Sequence, residues 1–436
     1  MSNRERFTPQ PVSEVVADRA VLVGVDRGRG WAAAESLAEL ERLADTAGAE
    51  VVATLTQKMH APDSRTFIGK GKLEEVASVV RDTGATIVVF DDDLTPSQQA
   101  NIEILVPETK IADRTALILD IFALHATSRE GKLQVGLAQM EYLLPRLRGM
   151  WRHLDRFDGG GVLTRGPGES QLETDRRLAR KRISELKREL KHVTSERELQ
   201  RKQRVRSGIF RVALVGYTNA GKSTTLNALT DAGVHVADRL FATLDATTRT
   251  LDLAEGRKVA VTDTVGFIHK LPHSLVEAFK STLDEVREAD LLLHVVDGAH
   301  PQATEQIAAV QEVLGEIGAA GRPTLLVLNK ADAMTEDDHT RWLSRYPHAV
   351  VCSAVTREGL DDLREHVASE AARQAITLTL LVPYDRGDIV GIAHEQAHIV
   401  SEEHTETGTR LVVRAPAAVA GRLEPFAEHR VGADNG

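Results

Sequence analysis

The segment Gly216-Tyr217-Thr218-Asn219-Ala220-Gly221-Lys222-Ser223-Thr224 directly follows the apolar run Phe210–Val215. Such a run reads as a buried strand. The glycines, lysine and hydroxyl residues after it are typical of a phosphate-binding loop that leads into a helix. Glycines let the backbone curl, so that successive N–H groups point at phosphate oxygens in front of the helix N-terminus. This stretch therefore predicts a P-loop domain of the α/β class, a mostly parallel sheet with helices on both faces.

Three further motifs follow in the order expected of a guanine-nucleotide site, each at the end of a predicted strand: Asp263-Thr264-Val265-Gly266, Asn329-Lys330-Ala331-Asp332 and Ser353-Ala354. The Asp332 carboxylate can accept from guanine N1–H and the exocyclic amine, donors that adenine does not offer together. The backbone of Ser353 and Ala354 would meet guanine O6. Four ordered motifs are not plausibly accidental, so the sequence predicts a GTP hydrolase.

The roles of the phosphate-side residues follow from their chemistry. Lys222 would reach the β- and γ-phosphates, and the Ser223 hydroxyl would bind Mg²⁺. Asp263, at a strand end, would supply a second contact to Mg²⁺ through water. Gly266 would offer its N–H to the γ-phosphate. We therefore predict GTP and Mg²⁺ as the ligands of this site.

A threonine between the phosphate loop and Asp263 should close over Mg²⁺ and the γ-phosphate. Thr243, Thr247 and Thr248 compete for this role, and Thr243 is favoured. The candidate catalytic residues are therefore Lys222, Thr243 and Gly266. The candidate magnesium residues are Ser223, Thr243 and Asp263.

Phe267 follows Gly266, where Ras-like sites carry a glutamine that orients the attacking water. A phenyl ring cannot do this. The sequence therefore predicts slow intrinsic hydrolysis, with the water positioned by another group or by a partner. The structural alternative, that Phe267 packs into the core, can hold at the same time.

Composition sets the broader limits. The chain has 436 residues, 42% of them apolar, a net charge of −10 and a single cysteine, Cys352. These values indicate two to four domains and exclude a disulfide framework. The polar segment Met1–Asp18 lacks a signal core, and no apolar run approaches the roughly 20 residues of a membrane span. We expect a soluble cytoplasmic protein.

The charge is unevenly distributed. Residues 146–206 contain 18 Lys and Arg against 9 Asp and Glu, although the whole chain is acidic. A basic segment in an acidic protein favours a local contact with a polyanion. The alternative is a solvated helix whose charges form i,i+4 pairs.

The pattern along the chain predicts four folded parts after a flexible N-terminus at residues 1–18. Alternating strands and helices indicate an N-terminal parallel α/β domain at 19–126. Apolar stripes with helical spacing predict an antiparallel helical hairpin at 127–207, with a glycine-rich loop over Asp158–Gly168 and its second helix from about Leu172. The GTPase domain follows at 208–374.

The last part, 375–436, reads as a small α+β domain. We expect strands at Ile376–Val382 and Arg410–Arg414. Helices are expected at Asp388–Glu403 and Pro416–Phe426.

Beyond these motifs the chain resembles the HflX family of GTPases. The resemblance rests on Phe67–Val76, Leu94–Gln99, Asp113–Phe122, Gly131–Val135, Arg165–Glu169, Asp175–Arg177, Phe241–Asp245 and His269–His273. It implies a ribosome-associated GTPase with a hydrophobic residue in place of the catalytic glutamine. The chain departs from the family pattern at Gly136, Ala246 and Val162-Leu163.

The resemblance also implies partners. Family members bind the large ribosomal subunit, and some split ribosomes; their N-terminal domain and hairpin face ribosomal RNA. The candidate RNA contacts here are Arg146, Arg148, Arg152 and Arg165. We expect a monomer when free, which binds large subunits with GTP and dissociates or rescues stalled ribosomes. The alternatives are a GTPase of ribosome assembly or RNA modification, and a nucleotide-gated RNA-binding module with negligible turnover.

Overall fold

The computed structural model describes residues 18–28, 31–147, 167–206, 209–232, 240–253, 258–270, 272, 275 and 280–431. The described residues form two compact units. The first comprises the residues up to Ile121 and those between Pro145 and Leu172. The second comprises Phe122–Leu144 and the residues after Leu172. No helix of the described segments is long and apolar enough to cross a membrane.

The first unit is built on a parallel four-stranded sheet in the order β2-β1-β3-β4. Its strands are β1 (Arg19–Asp26), β2 (Glu50–Lys58), β3 (Ile87–Phe90) and β4 (Lys110–Asp113). Its helices are α1 (Ala33–Thr46), α2 (Lys70–Thr83), α3 (Pro96–Leu105) and α4 (Arg114–His125), which runs on into the second unit. The predicted alternation of strands and helices is therefore confirmed.

Two helices, α5 (Arg129–Leu143) and α6 (Pro167–Arg206), pack through their apolar stripes. Leu133, Leu137 and Leu186 form the buried centre of this contact. The predicted loop over Asp158–Gly168 is wrong at its end, because α6 already begins at Pro167. Proline suits the first turn of a helix, where its missing N–H has no intrahelical partner. The rest of that predicted loop lies outside the described residues.

A six-stranded sheet in the order β10-β9-β8-β5-β7-β6 carries the four nucleotide motifs. The strands are β5 (Phe210–Gly216), β6 (Thr247–Asp252), β7 (Lys258–Asp263), β8 (Leu291–Asp297), β9 (Thr324–Asn329) and β10 (Val350–Val351). Only β6 pairs antiparallel. Because the carboxyl ends of parallel strands share one edge, the motifs meet there.

Helices cover both faces of this sheet, as predicted for a P-loop domain. They are α7 (Lys222–Leu229), α8 (Lys280–Glu288), α9 (Ala303–Glu316), α10 (Glu336–Arg345) and α11 (Leu360–Arg373). One core joins the sheet to α7 and α11. The other contains Ile307 of α9 and Trp342 of α10.

The C-terminal part is an antiparallel sheet in the order β12-β13-β11-β14. Its elements are β11 (Ile376–Val382), α12 (Gly387–Gln396), β12 (His398–Thr405), β13 (Gly408–Ala415), α13 (Ala417–Leu423) and β14 (Ala427–Val431). The predicted helix Asp388–Glu403 is wrong beyond Gln396, where β12 forms the sheet edge. Strand β14 was not predicted. The α+β class is confirmed.

Candidate functional site

The phosphate loop fits its surroundings only because two of its residues are glycines. Gly221 is the N-cap residue of α7 with φ +92°, and a Cβ there would lie 2.2 Å from Asn329 Nδ2. Gly216 has φ +152°, and a Cβ would lie 2.1 Å from the Val295 carbonyl oxygen. Any side chain at either position would push the loop away from β8 or from Asn329. The glycines thereby connect the phosphate loop to the rest of the strand edge.

Lys222 lies folded under this loop. Its Nζ donates to the Gly216 carbonyl at 3.1 Å and to the Tyr217 carbonyl at 2.8 Å. Burial lowers the pKa of Lys222 to about 8, against the opposing effect of the Asp263 charge. The hydrogen-bond partners of this buried ammonium group are neutral carbonyls. It is therefore well placed to attract a phosphate, which would supply the negative charge that the carbonyls lack.

Three oxygens converge beside Lys222. Ser223 Oγ donates to Asp263 Oδ2 at 2.6 Å, Thr243 Oγ1 donates to the same atom at 3.0 Å, and the two hydroxyls lie 2.8 Å apart. Asp263 Oδ1 is buried and has no hydrogen-bond partner among the described residues. Burial raises the pKa of Asp263. A cluster of hydroxyl and carboxylate oxygens with an unsatisfied buried oxygen suits Mg²⁺.

The structure distinguishes the three candidate threonines. Thr247 and Thr248 lie in β6, where Thr248 Oγ1 pairs with Thr262 Oγ1 at 2.9 Å. Among the described contacts of the three threonines, the hydroxyl of Thr243 is the one that hydrogen-bonds to Ser223 and Asp263. The structure therefore places Thr243 beside the other two candidate magnesium residues, and its role toward Mg²⁺ and the γ-phosphate stays a prediction.

Phe267 is held against the phosphate loop by its backbone. Its N–H donates to the Gly216 carbonyl at 3.1 Å, and its carbonyl accepts from Thr218 N–H at 2.7 Å. The side chain is 1% exposed and belongs to the core. The neighbouring Gly266 is also confined, since a Cβ would lie 3.0 Å from Lys222 Nζ. This arrangement leaves Phe267 a packing role and gives it no polar atom to orient water.

Asn329 connects the phosphate loop to the base-side motifs. Its Nδ2 donates to the Ala220 carbonyl at 2.9 Å, and its Oδ1 accepts from Ala354 N–H at 3.0 Å. Asp332 Oδ1 accepts from the Ser353 hydroxyl. The Asn329 side chain therefore holds three motifs together, and Ser353 holds the carboxylate of Asp332.

Lys330 adopts φ +64° and forms an ion pair with Asp297 at 2.8 Å. Asp297 ends β8, which carries none of the four motifs. Sequence reasoning missed this partner, although its place at a strand end was the available signal. The pair anchors the Lys330 stem beside the base-side motifs.

These residues surround one cavity of about 280 Å³. Its lining contains most of the sequence-predicted residues: Thr218, Asn219, Gly221, Lys222, Ser223, Thr224, Thr243, Gly266, Asn329, Lys330, Asp332 and Ala354. Phe241, Ala242, Thr264 and Val355 also line it and were not predicted. The remaining nucleotide candidates form hydrogen bonds to residues of this lining: Gly216, Tyr217, Ala220, Asp263 and Ser353.

A P-loop at the carboxyl edge of this sheet, with a hydroxyl–carboxylate cluster and an Asn-Lys-x-Asp motif around one cavity, defines the class of P-loop GTPases. Family models agree. Residues 34–123 match the GTP-binding GTPase N-terminal model, 125–204 the GTP-binding GTPase middle-region model and 211–330 the 50S ribosome-binding GTPase model.

Curated relatives identify the family. GTPase HflX of Caldanaerobacter subterraneus subsp. tengcongensis is 46% identical over 392 residues, which is 90% of either chain. GTPase HflX of Escherichia coli (strain K12) is 46% identical over 394 residues, 89% of this chain and 92% of that protein. A solved complex, described as SsGBP with GDP, aligns over 81% of this chain and 98% of its own at a TM-score of 0.46 and 26% identity.

The chain belongs to the HflX family of GTPases. The predictions of an HflX-type chain, of GTP hydrolysis and of GTP with Mg²⁺ as ligands are thereby confirmed.

Proposed function

We propose that this GTPase binds the large ribosomal subunit in its GTP-bound form and dissociates or rescues stalled ribosomes. The observation that carries the proposal is the match of residues 211–330 to a family described as a 50S ribosome-binding GTPase. The excess of Lys and Arg over residues 146–206 supports an RNA partner, because ribosomal RNA is a polyanion. A cytoplasmic location and a free monomer complete the proposal.

In this proposal each group of site residues has a role that follows from its position. Lys222 and the Gly266 N–H hold the γ-phosphate, and Asp332 selects guanine. Ser223, Thr243 and Asp263 hold Mg²⁺, which neutralises phosphate charge when bound. The orphaned Asp263 Oδ1 supports this assignment, since a bound cation or its water would satisfy it.

Slow hydrolysis by the free protein is part of the proposal. The residue directly after Gly266 is Phe267, whose side chain packs in the core and has no polar atom to orient the attacking water. The ribosome is proposed to complete the catalytic arrangement. An RNA-binding module with negligible turnover stays a second candidate for the same reason, and ribosome-stimulated turnover separates the two.

One proposed RNA contact needs correction. Arg146 donates to the Leu94 carbonyl at 2.7 Å and to Asp113 Oδ2 at 3.2 Å, and its side chain is only 11% exposed. A guanidinium engaged inside its own unit is not available to a phosphate. We therefore remove Arg146 from the RNA set. Arg148, Arg152 and Arg165 lie outside the described residues and stay in the proposal.

Part of α6 fits the alternative of a solvated charged helix. Lys181 and Arg182 both approach Glu185, at 3.9 and 3.5 Å, and Lys187 pairs with Glu141 of α5 at 2.8 Å. These exposed ion pairs contribute little to the free energy of folding, and they are typical of a solvated helix surface. The proposal therefore assigns RNA binding to Arg148, Arg152 and Arg165 rather than to this stretch.

The combined change Arg148→Ala, Arg152→Ala and Arg165→Ala should weaken binding to purified large subunits in the presence of a GTP analogue. If all three cations contact phosphate, the negative slope of log affinity against log salt becomes less steep by roughly 2–3 units. Sedimentation at several salt concentrations measures both effects. Co-sedimentation with precursor rather than mature subunits would instead favour a role in ribosome assembly.

Arg146→Ala serves as the contrasting variant. It removes a partner of the buried Asp113 carboxylate, so the melting temperature should fall while the salt slope keeps its wild-type value. Wild-type affinity and salt slope in the triple variant would contradict an RNA contact by these arginines.

A further inference from the structure

The segment around Thr243 is held at both ends by the chain that leads into the helical hairpin. At its start, the Phe241 ring packs edge-on against Phe122, with centroids 4.7 Å apart. Phe241 is 2% exposed and adopts φ +55°, an uncommon conformation for an aromatic residue. Such a conformation persists only where packing enforces it. The first anchor of the segment is therefore apolar.

The second anchor is the carboxylate of Asp245. Oδ2 accepts from Thr127 N–H at 3.0 Å, Thr127 Oγ1 at 2.8 Å and Ser128 N–H at 2.7 Å. Oδ1 accepts from the Ser128 hydroxyl. Hydrogen bonds to a charged acceptor are roughly twice as strong as neutral ones. Four of them on one side chain make this contact highly specific.

The two residues that donate to Asp245, Thr127 and Ser128, directly precede helix α5. Ser128 is the N-cap residue of α5, and its hydroxyl also accepts from Gly131 N–H at 2.9 Å. A Cβ at Gly131 would lie 2.4 Å from Asp245 Oδ1, so the first turn of α5 accommodates the carboxylate only because this residue is glycine. Helix α5 in turn packs on α6 through Leu137 and Leu186. The carboxylate thus joins the Thr243 segment to the hairpin.

Thr243 lies between these two anchors, two residues before Asp245. Because Phe241 and Asp245 are both held, the short segment between them has little freedom, and the Thr243 hydroxyl lies on Ser223 and Asp263. We propose that Asp245 is a positioning residue for GTP hydrolysis, which links the placement of Thr243 to the start of helix α5. The inference rests on the proposed role of Thr243 toward Mg²⁺ and the γ-phosphate.

Linkage makes this connection reciprocal. If closing Thr243 over Mg²⁺-GTP and forming the Asp245 contact favour one another, GTP stabilises the start of α5. A partner that holds the hairpin in this arrangement then favours the closed Thr243 by the same free energy. A simple helix cap makes a different prediction, because it would stabilise the fold equally with GDP, GTP or no nucleotide.

Asp245→Asn tests the proposal on the whole chain without ribosomes. An amide offers one acceptor oxygen and turns an NH₂ toward donors, so the anchor loosens while the volume is kept. The value of kcat should fall by at least about 10-fold, since small misplacements of catalytic groups have effects of this size. GDP affinity should change less than about 2-fold, because the base-side and loop contacts stay intact.

Two readouts do not depend on turnover. The Mg²⁺ concentration needed for tight binding of a non-hydrolysable GTP analogue should rise in Asp245→Asn, whereas that for GDP should not. In the wild type, the Thr127 and Ser128 amides should exchange hydrogen more slowly with Mg²⁺ and the GTP analogue than with GDP. In Asp245→Asn this difference should disappear.

Two further variants complete the test. Asp252→Asn changes an exposed carboxylate of β6 that pairs with Lys258 at 3.7 Å, and it should match the wild type in every readout. Thr243→Ala tests the proposed function: wild-type hydrolysis and Mg²⁺ dependence in this variant would refute the role of Thr243 itself. An impaired Thr243→Ala with a wild-type Asp245→Asn would overturn only the inference. Equal loss of GDP and GTP-analogue affinity in Asp245→Asn would also overturn the inference, because Asp245 would then only stabilise the start of α5.

Discussion

Lys222→Met should abolish most GTP hydrolysis, lowering kcat/KM by at least roughly 10²–10³-fold, the loss typical when one donor to developing transition-state charge is removed. In the structure, Nζ lies under the phosphate loop and donates to the Gly216 and Tyr217 carbonyls. Methionine keeps the length of the side chain but has no charge and no N–H. Steady-state hydrolysis over a range of GTP concentrations, with thermal melting in parallel, measures the effect.

Lys258→Met is the matched control. This lysine begins strand β7 of the same domain, but its side chain is exposed and pairs only with Asp252 at 3.7 Å among the described contacts. We expect wild-type hydrolysis and a melting temperature within a degree or so. Comparable activity in Lys222→Met and Lys258→Met would show that the lysine under the loop is not part of the catalytic site.

Asp332→Asn should change the base that the protein prefers. The Asp332 carboxylate lies on the cavity wall and is held by the Ser353 hydroxyl. An amide cannot accept both guanine donors, but its NH₂ can donate to the oxygen at C2 of xanthine. Losing one of two hydrogen bonds to a charged group, and the charge that strengthens the other, should weaken GTP binding by at least roughly 10²-fold. Xanthosine triphosphate should become the better substrate.

Competition between GTP and xanthosine triphosphate for a fluorescent nucleotide measures this exchange of specificity. Asp361→Asn provides the control, since Asp361 is 96% exposed at the start of α11 and should retain the wild-type preference. An unchanged preference for GTP in Asp332→Asn would exclude this carboxylate from base recognition.

The nucleotide site was largely predictable because its chemistry is local. Glycines, a lysine and carboxylates at strand ends are readable from short motifs, and parallel strands bring those ends to one edge. The roles of Asp297 and Asp245, in contrast, were not predicted from the sequence. Each acts through a partner distant in sequence, Lys330 for Asp297 and Ser128 for Asp245, and the local sequence does not identify that partner.

Two wrong predictions, the helix drawn through β12 and the RNA contact at Arg146, have separate physical causes. Strand β12, His398–Thr405, is an edge strand whose side chains are mostly exposed, so its sequence lacks the alternation of apolar and polar residues that marks a half-buried strand. The helical pattern of α12 was therefore extended through it. Arg146 was assigned to an RNA surface from the basic segment and the family resemblance, and neither reveals that the buried carboxylate of Asp113 accepts from its guanidinium.

The proposed ribosome-directed function is tested most directly by the rate of GTP hydrolysis. This rate is measured for the purified protein alone and with purified large ribosomal subunits. Light scattering of intact ribosomes in parallel follows subunit dissociation. We expect slow turnover by the protein alone and stimulation of at least about 10-fold by large subunits, because they complete the catalytic arrangement. We also expect a GTP analogue to support dissociation. An unchanged rate at saturating subunits, with no dissociation, would contradict a ribosome-directed GTPase.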